Sequence, residues 1–381
     1  MAKDLPGFAR LDSGMPVPAV NLRPAIESTR GEWERRLEEM LSSGQFVLGN
    51  QVRSFESELA EAFSAREAVG VGNGTDAIQL CLREAGLTER RHEVITSALT
   101  ASFSAAGVVA AGCSVRFADV LPDTLQMDPA DAAGRVHAGT AALMPVHLYG
   151  QPCEIGRFAK LARASRLALV QDACQAHGAR FQGRPFTEFS SRVAYSFYPT
   201  KNLGCLGDGG AVVTGSAAAA RRLRELRDGG RRGGQVSYTR GINSRLDEMH
   251  ACYLRAFLPK LAEWNEDRRR TAAFYDEALR DCPGLRPVKR TADSVCHLYV
   301  VRAERRDRLR EFLAARGIGS GVHYPVPLHL HPAFRDCGLK RGDLPHAERA
   351  SKEIISLPLW PYLPESAAHE VACRVHEFYR S

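Results

Sequence analysis

Several features are missing from this sequence of 381 residues, and each absence removes a class of protein. No two of its ten cysteines stand at C-x-x-C spacing, and the chain is too long for a small disulfide scaffold. Cys81, Cys113, Cys153, Cys174, Cys205, Cys252, Cys282, Cys296, Cys337 and Cys373 mostly lie beside apolar neighbours, which suits a reduced, cytoplasmic protein. No apolar run is long enough to span a bilayer: the longest weakly polar stretch, Ala101 to Val115, is broken by Ser102, Ser104 and Gly112. The opening Met-Ala-Lys-Asp-Leu-Pro has no apolar signal core, so neither membrane nor export is expected. There is no internal repeat and no segment simple enough to be called disordered.

What is present is ordinary for a soluble globular protein, with 44 % hydrophobic and 25 % charged residues. The length predicts two domains, or one large domain with an appendage. A net charge of +7 is compatible with a nucleic-acid partner. Against that, the basic residues are spread in pairs such as Arg221-Arg222, and the only run, Arg268-Arg269-Arg270, reads as a solvated helix face. With no helix-turn-helix signature and no aromatic-basic interleaving, no nucleic-acid partner is expected.

Residues 1–30 read as an irregular arm, followed by helical spacing over Ala25–Ser42 and Ser54–Phe63. Between residues 69 and 214, short apolar runs alternate with helical stretches. Ala141–Val146, Leu167–Val170, Val193–Phe197 and Ala211–Thr214 read as buried strands; Asp76–Glu84 and Ile155–Ala164 read as helices. Such alternation predicts an α/β domain with a mostly parallel sheet. Asp247–Leu279 reads as one long helix. Beyond Pro283-Gly284 come strand-like His297–Val301, helical Arg306–Ala315, strand-like Gly319–Tyr324 and helical Ala347–Ile355, a smaller C-terminal α+β domain. The predicted division is an arm at 1–30, a large domain at 31–262 and a small domain at 263–381.

Three segments point to chemistry. Gly72-Asn73-Gly74-Thr75-Asp76 follows an apolar run and opens a helix, where glycine and free N–H groups can seat a phosphate. The same residues also make an ordinary cap, with Thr75 or Asp76 capping. They lack the third glycine and the following acidic residue of a dinucleotide fold. In Leu167-Ala168-Leu169-Val170-Gln171-Asp172 a carboxylate ends a buried strand, the place where open α/β sheets bind ligands. An Asp there also serves as a plain capping residue. Lys201, in Ser196-Phe197-Tyr198-Pro199-Thr200-Lys201-Asn202-Leu203-Gly204, follows a strand and is flanked by polar and glycine-rich sequence. A lysine nucleophile needs a depressed pKa, whereas most loop lysines are simply solvated. His147, His177, His323, His329 and His331 repeat no metal-ligand spacing, so no metal is expected; His147 and His177 read as hydrogen-bonded strand-end residues.

Taken together, these segments resemble the sugar-nucleotide aminotransferases of the DegT/DnrJ/StrS family, from about residue 16 to 380. The resemblance also covers Ser43–Gly49, Pro145–Gly150, Asp172–Gly178, Gly241–Asp247, Gly321–Pro325, Pro327–His329 and Ser356–Leu359. It implies a fold-type-I transferase dependent on pyridoxal 5'-phosphate, held as a Schiff base on Lys201. By the same likeness, Gly74, Thr75 and Ser196 hold the phosphate. Asp172 pairs with the ring nitrogen, Cys174 packs on a ring face and Gln175 bonds the phenolic oxygen. Asn243 reaches the phosphate of a neighbouring subunit, so a homodimer with shared sites is implied. Phe46, Phe103, Tyr198, Arg245, His323, Tyr324 and His329 become candidate substrate contacts.

The implied reaction moves an amino group from L-glutamate or L-glutamine to a nucleotide-linked keto sugar, at C-3 on the form of Gln175 and Asn243-Ser244-Arg245. A keto-inositol acceptor is the alternative, with a sugar dehydratase or DNA-binding regulator behind it. Dehydratase relatives carry histidine where Lys201 stands, which favours transamination. One departure bears on the ring: Ala101 follows Thr100 where the family usually has an aromatic residue, and Phe103 is the nearest substitute.

Overall fold

A computed structural model describes residues 16–380. The first half of the predicted arm lies outside the described residues. Its second half is more regular than expected, with a helix at Arg23–Ser28 and a bridge from Val17 to Ile318. Val17 is buried among C-terminal side chains, which is why this stretch is ordered.

Eight strands build the main sheet: β1 (Glu67–Val71), β2 (Glu93–Ser97), β3 (Ser114–Ala118), β4 (Thr140–Met144), β5 (Ala168–Leu169), β6 (Gln171–Asp172), β7 (Val193–Ser196) and β8 (Gly210–Thr214). They form two four-stranded pieces, β3-β2-β4-β5 and β1-β8-β7-β6. Residues 168–172 join the pieces. Val170 N–H donates to Leu143 on one side, and Gln171 N–H donates to Arg192 on the other. Every pairing is parallel except the two made by β8. The strands β1, β2, β4, β7 and β8 are mostly buried along their length, as a sheet covered by helices requires, while edge strand β3 is only partly buried. Asp172 therefore sits at the carboxyl end of a central strand.

The small C-terminal sheet is antiparallel, in the order β11 (Ile354–Leu357), β10 (Tyr299–Ala303) and β9 (Leu285–Pro287). Its own core runs from Ala272 and Tyr275 to Val375 and Phe378. The expected long helix is helix Glu248–Phe257, a tight turn at Leu258–Lys260, and helix Leu261–Ala278. Pro259 lies at the tightening, where it offers no N–H to the α-helical ladder.

Three expectations need correction. Gly319–Tyr324 is not a strand; Gly321 makes only an isolated bridge to Ser356. The helix expected over Ala347–Ile355 ends at Glu353, and Ile354 already belongs to β11. Arg268 is not on a solvated face. It is buried and donates to the carbonyls of His297 and Leu359. Short apolar patterns could not reveal any of these, because a distant partner decides each.

Candidate active site

The site grows from four strand ends and the helices that follow them. Helix Gly74–Glu84 starts directly after β1. Its cap is Asn73, not Thr75 or Asp76: the Asn73 side chain accepts from Asp76 N–H at 2.8 Å. The N–H groups of Gly74 and Thr75, at the start of the helix, have no partner within it. A β-carbon on Gly74 would lie 2.6 Å from Ser196 Cβ and 3.0 Å from Cys174 Sγ. Glycine here lets the first helical turn meet two of the segments carrying the motifs. Gly74→Ala is expected to weaken cofactor retention and cost about 1–3 kcal/mol of stability. Equilibrium dialysis and urea unfolding check this; unchanged retention would contradict it.

Asp172 is buried. Its Oδ1 accepts from Cys174 N–H at 3.1 Å, and its Oδ2 accepts from Ser104 Oγ at 2.6 Å. Lys201 stands among charges and dipoles that the fold brings together. Burial lowers its pKa from the ordinary lysine value, while Cys174 and Asp172 pull it upward. Burial likewise pushes the Cys174 thiol well above its usual range. A lysine amine whose charge is disfavoured by burial is a better nucleophile and base than a solvated one.

Beneath Lys201 lies a polar network that sequence reasoning missed. Asn202 donates to Asn265 Oδ1 at 2.8 Å and to the Val295 carbonyl at 2.9 Å, and its Oδ1 meets His297 Nδ1 at 3.0 Å. Asn265 donates to the His177 carbonyl, and His177 Nε2 meets the Ser196 carbonyl. His177 and His147 are hydrogen-bonded next to strand ends, as expected, with His147 on Gln171. The signal for this network was present in Asn202, directly after the lysine, but its partners are scattered over the chain.

The buried imidazoles carry a pH prediction. Burial drives His147 and His177 down to about 3, and His297 well below its ordinary 6.5. Below about pH 6.5 the unfolded chain therefore binds protons that the folded chain refuses, and stability falls toward pH 3. Each imidazole contributes a slope of up to about 1.4 kcal/mol per pH unit. Urea unfolding between pH 7.5 and 4.5 measures this; a flat profile would contradict it.

Gln175 ties Asp172's segment to Tyr149 and Tyr324: its Oε1 accepts from Tyr149 N–H at 2.8 Å and its Nε2 donates to Tyr324 Oη at 3.1 Å. Tyr149 in turn donates its hydroxyl to the His323 carbonyl. His323 Nδ1 meets Ser356 Oγ at 2.8 Å, and burial together with the Lys201 charge drives its pKa down to about 4. The structure thus brings Gly74, Asp172, Cys174, Gln175, Ser196, Lys201, His323 and Tyr324 together.

Tyr198 lies beside this cluster: its N–H donates to Ser196 Oγ at 3.3 Å and its carbonyl accepts from Lys201 N–H at 2.8 Å. The side chains of Phe46 and Tyr198 are half exposed, and Phe103 is 68 % exposed. Asn243 is exposed, and Arg245 pairs with Asp228 at 3.0 Å. His329 is buried against Glu348 at 3.1 Å, so its ring is engaged within the C-terminal region.

Among the described residues, no helix is long and apolar enough to cross a membrane. The model of the DegT/DnrJ/EryC1/StrS aminotransferase family matches residues 27–376. A dTDP-3-amino-3,4,6-trideoxy-alpha-D-glucose transaminase of Streptomyces venezuelae is 43 % identical, over 95 % of this chain and 96 % of its own. A Geobacillus stearothermophilus protein named a pleiotropic regulatory protein is 40 % identical, over 96 % of this chain and 99 % of its own. The crystal structure of S. venezuelae DesV in complex with a ketimine intermediate superposes with a TM-score of 0.93 at 42 % identity, covering 96 % of this chain and 99 % of that one. By fold, motifs and full-length similarity, this chain belongs to the DegT/DnrJ/EryC1/StrS aminotransferase family.

Proposed function

We propose that the protein is a pyridoxal-phosphate-dependent aminotransferase that aminates a nucleotide-linked keto sugar, at C-3, in amino-sugar biosynthesis. The single observation that carries this reading is the amine of Lys201, whose pKa burial lowers, in one cluster with Asp172 and Cys174. The residues suit the cofactor. Gly74 leaves a cradle that a β-carbon would fill against Ser196 and Cys174. The free N–H groups of Gly74 and Thr75 and the Ser196 hydroxyl are donors for a phosphate. Asp172 offers a buried carboxylate to a ring nitrogen, and Gln175 offers an amide N–H to a phenolic oxygen.

When bound, pyridoxal phosphate supplies an electrophilic carbon and an electron-withdrawing ring. Lys201 would hold it covalently through Nζ. The Lys201 amine would accept the proton from the Cα of the amino donor, L-glutamate or L-glutamine, as a general base. In the return half-reaction it delivers a proton to the sugar carbon that takes the amine. Asp172 holds negative charge where positive charge on the ring nitrogen is stabilised. Tyr324, His323 and Gln175, joined by hydrogen bonds, would order the site beside the cofactor ring. His323 stays neutral at working pH, so it acts by hydrogen bonding rather than by charge.

By the family resemblance, exposed Asn243 would reach the cofactor phosphate of a second copy, so the working unit is a homodimer with shared sites. Exposed Phe46, Val47, Val236 and Tyr238 support a partner surface. We assign the protein to the cytoplasm on its cysteines, seven of which are buried thiols. The chain divides into an arm (1–30), a large domain (31–262) and a small domain (263–381), a reading supported by the separate core around Tyr275 and Tyr299.

The C-3 assignment follows the name of the S. venezuelae relative. A panel of 3-keto and 4-keto sugar nucleotides and a keto-inositol, each with glutamate or glutamine, tests the substrate by product mass. Amination of a 3-keto sugar nucleotide is expected; amination of the keto-inositol alone would overturn that part of the reading.

A further inference from the structure

Asp172 has a second support that the motifs do not contain. Ser104 lies in the first turn of helix Ser102–Ala111 and is buried, as is Thr100 four residues earlier. Ser104 Oγ lies 2.6 Å from Asp172 Oδ2, and Thr100 Oγ1 lies 3.1 Å from Ser104 Oγ. The proton directions follow from valence. An ionised carboxylate only accepts, so the single hydroxyl proton of Ser104 points at Asp172. Ser104 has none left, so Thr100 must donate to Ser104. Both hydroxyl dipoles are thereby aligned on one carboxylate oxygen, and the bond to it is charge-assisted.

The helix reaches this position through a close approach. A β-carbon on Gly107 would lie 2.7 Å from Ile78 Cγ2 and 2.9 Å from the Thr75 carbonyl. Glycine at 107 lets the helix pack against the one that begins at Gly74, and this contact carries Ser104 to Asp172. Without Ser104, Asp172 keeps the Cys174 N–H on Oδ1 and loses its partner on Oδ2. The carboxylate is then free to turn about its terminal bond.

We propose that Ser104, oriented by Thr100, is a positioning residue that fixes the Asp172 carboxylate for the cofactor's ring nitrogen, an inference that rests on the function proposed above. It acts through Asp172 and touches neither substrate. The titratable groups facing Asp172 are Cys81, Cys174, Lys201 and Tyr324, and none of them replaces the hydroxyl.

The test uses full-length holoenzymes of wild type, Ser104→Ala, Ser104→Thr and Thr100→Val, reconstituted with pyridoxal phosphate. Three quantities are read: cofactor dissociation, the pH midpoint of the cofactor's visible absorbance, and kcat with KM. Ser104→Ala is expected to lower kcat about tenfold and raise the cofactor Kd about fivefold, with KM for the sugar nearly unchanged. Its absorbance midpoint is expected to move up by about 0.5 pH unit. The reason is that a wandering carboxylate holds the ring proton less often, and the lysine linkage keeps its own proton to higher pH. Ser104→Thr restores the midpoint, and Thr100→Val shows a smaller shift of the same sign. Should Ser104→Ala prove insoluble, Ser104→Cys retains the volume, weakens the donor and carries the same readouts. If wild type takes up no pyridoxal phosphate, the proposed function itself fails and this inference with it. If wild type takes it up but Ser104→Ala titrates as wild type does, the positioning role alone is overturned, even where kcat or thermal stability falls.

Discussion

Lys201→Ala is expected to stop amino transfer, with kcat falling by at least about 10³-fold, because one substitution removes both the covalent anchor and the base. The fold should survive. Lys201 is held in a place where burial disfavours its charge, so removing it relieves a desolvation cost rather than breaking an ion pair. Circular dichroism and thermal unfolding should match or exceed wild type while product mass disappears. Turnover above about a tenth of wild type would mean that another group carries the proton, and the assignment of Lys201 as the base would fall.

Asp172→Asn is the second large effect, expected to lower kcat about 10²–10³-fold with little loss of stability. The local hydrogen bonds explain the split. An asparagine can still accept from Cys174 N–H through Oδ1, and its amide can donate to Ser104 Oγ, whose hydroxyl then turns the other way. The cost in folding is therefore only about 1 kcal/mol. What is lost is the negative charge opposite the ring nitrogen. Steady-state kinetics beside urea unfolding separates the two. A large stability loss with unchanged kcat would show that Asp172 is a structural residue.

Much of this site could be read from the sequence because its signals are local. A buried apolar run that stops at a carboxylate marks Asp172, since a charge cannot continue a strand covered on both faces. Gly72-Asn73-Gly74 marks a turn into a helix, and the structure places that helix start against Ser196 and Cys174. What escaped depends on contacts far apart in the chain. Ser104 looked like one of the polar breaks in an apolar stretch, and only the Gly107 approach to Ile78 brings it to Asp172. Arg268 looked solvated within an arginine run, yet two carbonyls from distant loops bury it. The partner of the His329 ring, Glu348, lies nineteen residues on and could not be read from the motif. The strand over Ile354–Leu357 was hidden for the same reason. Its pairing with β10 ends the preceding helix without a glycine or proline to announce it.

The view that joins these results is that Lys201 is the covalent seat of the cofactor. It can be tested without any choice of sugar. The protein is incubated with pyridoxal phosphate, reduced with borohydride, digested and sequenced by mass spectrometry. A stable phosphopyridoxyl mass on the peptide containing Lys201, and on no other lysine at stoichiometric yield, is the predicted result. A modified lysine elsewhere, or no stoichiometric adduct at all, would contradict it.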